Sequence, residues 1–118
     1  MSLDWQLEQH PNMILITLPS HICNRNVARL RQGLEELAVA RRSAIVVDCQ
    51  SLLSMNSGGL SFLRDLIGKT NQCEGRVVLC HVSPAITSLL EMCGLNRFLE
   101  TVADRQHAME RINQRWHQ

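Results

Sequence analysis

The chain has 118 residues, of which 45% are hydrophobic and 19% charged, and its formal net charge is +1. This composition is ordinary for a soluble globular protein of one domain, and it excludes the strongly basic surface typical of nucleic-acid-binding domains. Tyrosine is absent and only 3% of the residues are aromatic, which leaves few side chains on which bases could stack. We therefore expect one domain over residues 1–118 and no nucleic-acid partner.

The sequence carries no signal for export or membrane insertion. No apolar run approaches the roughly 20 residues that a membrane-spanning helix needs. The first residues, Met1-Ser2-Leu3-Asp4-Trp5, lack the basic start and the apolar stretch of a signal peptide. These observations predict a cytoplasmic protein without a membrane span.

The first half of the chain predicts a hairpin, a helix and a buried strand. Leu3–Glu8 alternates apolar and polar residues, and Met13–Leu18 is a short run rich in strand-forming residues, so the two are expected to pair across the turn after His10. From Arg25 to Ala40 apolar residues recur at steps of three and four, which indicates an amphipathic helix. Ala44–Cys49 is then a continuous apolar run, typical of a strand covered on both faces.

The second half repeats the alternation of helix and strand. A helix from Ser57 to about Cys73 followed by a strand at Arg76–Val82 completes a βαβ unit. Ser83-Pro84 is a strong helix start, and the buried stripe of that helix is expected to include Cys93. Phe98–Val102 is a candidate strand, and Asp104 is expected to cap a last helix. The predicted fold is α/β, with a mixed, mostly parallel sheet and about four helices.

The most informative stretch is the turn Ser54–Leu60. With Asn56 as N-cap, Ser57 lies in the first helical turn, where free backbone N–H groups and the helix dipole favour an anion such as a phosphate. Gly58 and Gly59 each cost about 1 kcal/mol relative to alanine inside a helix, so we expect them to be retained for close approach by an outside partner. The turn is either a simple helix cap or a regulatory phosphorylation site at Ser57.

Other chemistry is poorly supported by the sequence. The phosphate-binding pattern G-x-x-x-x-G-K-[ST] and the hydrolase pattern G-x-S-x-G are both absent, so no catalytic residue and no enzymatic activity are predicted. Asp48 is expected to be either a surface residue or a strand-end acceptor. His21 and Cys23, before the first helix, either line the same surface as Ser57 or are exposed loop residues.

The cysteines do not predict a metal site. There are five, an odd number, and no two form a C-x-x-C pair: Cys23, Cys49, Cys73, Cys80 and Cys93. Most of them fall at positions expected to face the core. Cys80 and His81 are adjacent, and adjacent residues of a strand point to opposite faces. We therefore predict no metal ion and no cofactor.

The order of these elements and their motifs resembles the STAS domain, and in particular the single-domain anti-sigma factor antagonists. The resemblance covers nearly the whole chain. It rests on Ile45–Asp48, Met55–Leu60, the glycine turn into Arg76–Cys80, Val82-Ser83-Pro84, and Met92–Leu95 with Phe98.

The resemblance implies a non-enzymatic partner-switching protein. In that family the unphosphorylated antagonist binds an anti-sigma factor that is also a serine kinase, and phosphorylation separates the pair. A PP2C-type phosphatase restores the binding form. The position that corresponds to the phosphorylated serine is Ser57, and the resemblance implies partner contacts from Asn56, Gly58, Gly59 and the connection that contains His21 and Cys23.

Two positions differ from the family pattern. The family usually has an aspartate before the serine, where this chain has Asn56, and an acid before the first helix, where it reads Ser20-His21-Ile22-Cys23. Both differences remove negative charge from the expected kinase-facing surface. They favour an alternative hypothesis, a STAS subunit of a transporter or multi-protein scaffold that is not phosphorylated.

Overall fold

The computed structural model of the chain describes residues 5–10, 13–37, 44–72 and 76–116. Within these ranges the strands are β1 (Gln6–His10), β2 (Met13–Thr17), β3 (His21–Ile22), β4 (Ala44–Asp48), β5 (Ser54–Met55), β6 (Arg76–Cys80) and β7 (Glu100–Val102). The helices are α1 (Asn24–Leu37), α2 (Ser57–Gln72), α3 (Pro84–Met92) and α4 (Arg105–Trp116), with a 3₁₀ turn at Leu95–Arg97.

The main sheet has five strands in the order β1-β2-β4-β6-β7. β1 pairs with β2 antiparallel, and each following pair in the sheet is parallel. The predicted α/β fold with a mixed, mostly parallel sheet and four helices is therefore confirmed. The predicted hairpin is also present, and its first strand covers Gln6–His10; Leu3 and Asp4 of the predicted strand Leu3–Glu8 lie outside the described residues.

The strand alternation divides the core between the two faces of the sheet. One face, with Ile45 and Val47 of β4, packs against α1 and α2, and the main apolar cluster lies there. The opposite face packs against α4 through a smaller cluster: Met13, Leu15, Ala44, Val46, Val78, Cys80, Ala108 and Ile112. Because β4 and β6 are covered on both faces, their sequences are apolar at every position between the strand ends.

The remaining two strands form a separate parallel pair that the sequence did not predict. His21 of β3 pairs with Ser54 of β5, and Ile22 pairs with Met55. Each strand has two residues, which is too short for a periodic pattern. This pair joins the segment before α1 to the segment before α2.

Three helix ends match their predicted signals. The Ser83 hydroxyl accepts a hydrogen bond from the N–H of Ile86 at 3.3 Å, and Asp104 accepts one from the N–H of His107 at 2.9 Å. Gly94 has φ 73°, the left-handed conformation that ends a helix, and Leu95 behind it is buried.

The prediction that Cys93 belongs to a buried stripe is wrong. α3 ends at Met92, and Cys93 is the exposed C-cap residue. The N–H of Cys93 still donates to the Leu89 carbonyl at 3.2 Å, but the helix ends there, and the residue that enters the core after the glycine is Leu95.

The other described cysteines differ in their exposure. All four in the described part of the chain are free thiols, with Cys49 and Cys80 buried and Cys23 partly buried. Cys73 lies outside the described residues. Among the helices that the structure describes, none has the length and apolar character required to cross a bilayer.

Candidate functional site

The start of α2 is held by the side chain and the backbone of Asn56. Asn56 Oδ1 accepts hydrogen bonds from the N–H of Gly58 at 2.9 Å and of Gly59 at 3.2 Å. Its carbonyl accepts from Gly59 and from Leu60, at 3.0 and 3.2 Å. Asn56 is therefore the N-cap, as predicted, and Ser57 is the first helical residue.

Ser57 is exposed at this helix start. The first turn of α2 contains no acidic residue, so the position has no like charge from its own turn to oppose an anion. A helix N-terminus stabilises an anion through its N–H groups and the macrodipole. A phosphate on the Ser57 hydroxyl would thus be compatible with the folded helix.

The β3–β5 pair places the segment before α1, residues 20–23, beside the start of α2. The Ser20 carbonyl accepts a hydrogen bond from the N–H of Leu53 at 2.7 Å, and the Ile22 carbonyl accepts one from the N–H of Asn56 at 3.1 Å. His21 Nδ1 lies 2.5 Å from Ser54 Oγ. His21 and Cys23, both partly buried, therefore lie along the same edge of the molecule as the α2 start.

Asn26, which the sequence did not identify as important, holds the segment before α1 in place. Asn26 is buried, its Oδ1 accepts from the N–H of Cys23 at 2.9 Å, and its Nδ2 donates to the carbonyl of His21 at 2.8 Å. Cys23 precedes α1, so Asn26 bonds back to the N-cap residue from the third helical position, as Glu or Gln does in a capping box. The available signal was a polar residue three positions after the N-cap residue Cys23.

The structure gives an internal reason for Gly59, beside the expectation that an outside partner approaches it. Gly59 is buried, and a Cβ placed on it would lie 2.9 Å from Met55 Cβ and 3.0 Å from Ile22 Cγ2. Contacts this short force a neighbouring atom to move. Gly59 is thus needed for α2 to pack closely on the β3–β5 pair, while Gly58 remains partly exposed.

Leu53, next to this turn, is an exposed large apolar side chain. It is 66% exposed, and its backbone is tied to Ser20. Further along α2, Arg64 and Asp65 are exposed, and Asp65 pairs with Arg31 of α1. The surface around Ser57 therefore combines a neutral polar helix start with one apolar side chain.

A polar cluster around Asp48 lies at the carboxyl end of β4, and it decides between the two expectations for this residue. The Asp48 side chain is buried rather than at the surface. Its Oδ1 accepts from the N–H of Gln50 at 3.0 Å, and its Oδ2 accepts from Arg105 Nε at 2.6 Å. Arg105 also donates to Thr17 Oγ1 at 3.1 Å. Asp48 is thus a strand-end acceptor, as predicted, that joins β4 to α4 inside the protein.

Asp48 and Ser57 belong to opposite faces of the sheet. Asp48 follows Val46 in the strand alternation and faces α4, whereas α2 packs on the face of Ile45 and Val47. The carboxylate is also already paired with Arg105. A serine hydrolase would need Ser57 close to a histidine and an acid, such as His81 and Asp48, and this placement does not support such a triad.

Cys80 and His81 lie beside Asp48. Cys80 pairs with Asp48 in the parallel register of β4 and β6. Burial and the nearby charge of Asp48 together raise the pKa of the Cys80 thiol to about 11, while the charge of Arg105 opposes them. One ligand atom from each of Asp48, Cys80 and His81 lies within 4.8 Å of the others. These three residues could hold a metal ion.

Comparisons with known proteins agree with the fold. The family model of the STAS domain matches residues 4–108. The anti-sigma F factor antagonist of Paenibacillus polymyxa is 25% identical over 114 residues, which cover 95% of this chain and 97% of that protein.

Solved structures with the same architecture include two phosphorylation states of one protein. The anti-sigma factor antagonist SpoIIAA in its unphosphorylated form superimposes with a TM-score of 0.82 at 20% identity, covering 93% of this chain and 96% of that one. The phosphorylated form of the Bacillus cell-fate determinant SpoIIAA gives a TM-score of 0.75 at 20% identity, covering 92% and 99%.

Proposed function

Because the chain belongs to the STAS domain family, we propose that it is an anti-sigma factor antagonist switched by phosphorylation at Ser57. Unphosphorylated, it binds an anti-sigma factor that is also a serine kinase, and phosphate on Ser57 releases it. A PP2C-type phosphatase returns it to the binding form, and the exchange takes place in the cytoplasm. The protein regulates transcription by binding and catalyses no reaction itself.

The observation that carries this proposal is the exposed Ser57 at the start of a helix capped by Asn56. A phosphate there adds roughly −1.5 to −2 charges at pH 7. The helix start accommodates that charge, so the fold persists and the effect falls on a partner docked over the turn. A local charge change at an interface is a sufficient switch.

The surrounding backbone supports a rigid docking surface. The turn is held by the Asn56 cap and by the Asn56–Ile22 hydrogen bond, and the neighbouring segment is held by Asn26. A surface that is already ordered loses little conformational entropy on binding. We propose that Asn56, Gly58, His21 and Cys23 contribute contacts there, with Gly59 acting through the shape of the turn.

Phosphorylation is tested by incubating the full chain with ATP and the serine-kinase anti-sigma factor encoded in the same genome. Mass spectrometry should locate one phosphate on Ser57, and Ser57→Ala should remain unmodified while still binding. Ser57→Asp should bind weakly. Ser88→Asp, on an exposed position of α3, is the matched control and should bind as the original chain does.

The stability of Ser57→Asp separates a binding defect from a folding defect. An acid in the first turn of a helix stabilises it by about 0.3–1 kcal/mol, so this variant should melt no lower than the original chain. A variant that folds and does not bind supports the switch. Unmodified Ser57, together with equal binding by all variants, would refute the proposal.

A second candidate function is a STAS subunit of a transporter or scaffold that is not phosphorylated. It is motivated by Asn56, which stands just before the serine where the family pattern has an acid. Under this hypothesis the chain co-purifies stably with a transporter or a multi-STAS assembly. Binding that is insensitive to Ser57→Asp would support this alternative.

A further inference from the structure

We propose that Asp48, Cys80 and His81 form a binding site for a zinc-class divalent cation at the carboxyl ends of β4 and β6. The site is separate from the Ser57 surface and does not depend on the proposed function. It lies on the α4 face of the sheet, whereas Ser57 begins a helix on the other face.

The backbone explains why these ligands converge when the sequence suggested that they would not. Asp48 and Cys80 are direct partners in the parallel register, so their side chains share one face. β6 ends at Cys80, and His81 takes a φ of 55°, the left-handed region that non-glycine residues seldom adopt. Strand alternation therefore does not apply to His81, and its ligand atom lies with the other two, all within 4.8 Å.

Neighbouring groups hold one ligand side chain and the backbone of another ligand. The N–H of Gln50 donates to Asp48 Oδ1 at 3.0 Å, and the backbone N–H of His81 donates to the carbonyl of Ala103 at 3.3 Å. Fixed partners behind the ligands strengthen metal sites because the ligands lose less freedom on binding. Asp48 and Cys80 are buried and His81 is partly exposed, which leaves one side open to solvent.

The donor set selects the class of cation. A sulfur, an imidazole nitrogen and a carboxylate oxygen suit zinc and similar borderline metals, whereas calcium and magnesium prefer oxygen ligands. Three protein ligands leave a fourth position for water, as in open zinc sites. Only small movements are needed, since the ligand atoms are already near one another.

Binding changes the protonation of Cys80 and the partner of Asp48. The S–H bond of Cys80 breaks, a sulfur–metal bond forms, and the proton passes to the solvent. Arg105, whose side chain is 43% exposed, competes for Asp48 Oδ2 and would turn toward water. Both costs weaken the site, so we expect looser binding than that of a structural zinc site of four cysteines.

The proposal is tested on the full chain, freed of metal with a chelator and titrated with Co²⁺, a spectroscopic substitute for zinc. One Co²⁺ per chain and a thiolate-to-cobalt charge-transfer band are expected, and Zn²⁺ should displace the band. Cys80→Ser should abolish the band, and His81→Ala should weaken binding roughly tenfold or more. The matched controls Cys93→Ser and His107→Ala change exposed residues outside the site and should leave the titration unchanged.

The outcomes separate this proposal from its alternatives. No band in the original chain, a band that survives Cys80→Ser, or equal affinity for His81→Ala would each overturn it. His81 is only partly buried, so His81→Ala keeps the test open if Cys80→Ser fails to fold. Ser57→Asp should bind Co²⁺ normally, so a failure of the phosphorylation switch and a failure of this site give different results.

Discussion

The Asn56–Gly59 turn and the Asp48 cluster lie close together in the chain, yet they are built in opposite ways. The turn uses neutral groups and short-range hydrogen bonds, and it presents Ser57 to solvent. The cluster buries a carboxylate whose partner, Arg105, comes from the last helix. Changes at the exposed turn should therefore alter recognition, whereas changes in the cluster should alter folding.

The largest effect is expected from Asp48→Asn. The Asp48 carboxylate lies 2.6 Å from Arg105 Nε. The substitution replaces this charged group by a neutral amide and leaves Arg105 without an anionic partner there. Breaking such a pair costs about 3–5 kcal/mol when both partners are buried, and we expect about 2–3 kcal/mol because Arg105 can reach water. The free energy of unfolding in urea measures this loss.

The matched control for Asp48 is Asp65→Asn. Asp65 pairs with Arg31 at the surface, where an ion pair contributes about 0–1 kcal/mol. A loss at Asp65 equal to that at Asp48 would show that burial does not distinguish the two pairs.

Gly59→Ala tests the one part of the turn that is buried. The added methyl group would press on Met55 and Ile22, and overpacking of this kind costs about 1–3 kcal/mol. Gly68, in the same helix, has no atom within 4 Å of a Cβ position. Gly68→Ala should therefore stabilise the chain by about 0.5–1 kcal/mol. Thermal melting compares the two, and changes of the same sign would contradict the packing argument.

A smaller effect is expected at the cap. Asn56→Ala removes the acceptor for the N–H groups of Gly58 and Gly59 and should cost about 1 kcal/mol. Asn56→Asp keeps the acceptor oxygen and should stay within a few tenths of a kcal/mol of the original chain. If Asn56→Asp also speeds phosphorylation of Ser57, the missing acid limits kinase recognition; an unchanged rate would remove that explanation.

The smallest effect concerns the exposed pair at the start of α4. The hydrogen bond that the His107 imidazole donates to the Asp104 carboxylate, together with the charge of that carboxylate, raises the pKa of His107 above its ordinary value. The resulting stabilisation is complete below the unfolded pKa of histidine and is lost as the pH rises through the folded pKa. NMR titration should show the raised pKa, and Asp104→Asn should lower it. An unaltered titration in that variant would exclude Asp104 as the cause.

The sequence predicted the structural features that depend on residues close together in the chain. The hairpin, the helices and the caps at Asn56, Ser83 and Asp104 follow from spacing and residue type, and each is present. The two-residue strands β3 and β5 were missed because they are too short for any periodicity. The burial of Asp48 was missed because Arg105 lies 57 residues away in sequence.

The candidate site shows the same division. The cap, the helix start at Ser57 and the approach of His21 to the turn could be anticipated, since each follows from residues near one another or from parallel βα units. The role of Asn26 and the internal reason for Gly59 required knowledge of which backbone segments meet. The partner contacts of these residues and the modification of Ser57 stay predictions.

The order of strands in the main sheet has a consequence for synthesis on the ribosome. Strands join in chain order, β1-β2-β4-β6-β7, so each new strand adds to an edge that has already emerged and none must insert between two others. The helix that covers the second face, α4, arrives last. Until it emerges, the apolar face of Leu15, Val46 and Val78 has no cover. Nascent chains arrested before α4 should therefore expose an apolar surface that chaperones bind.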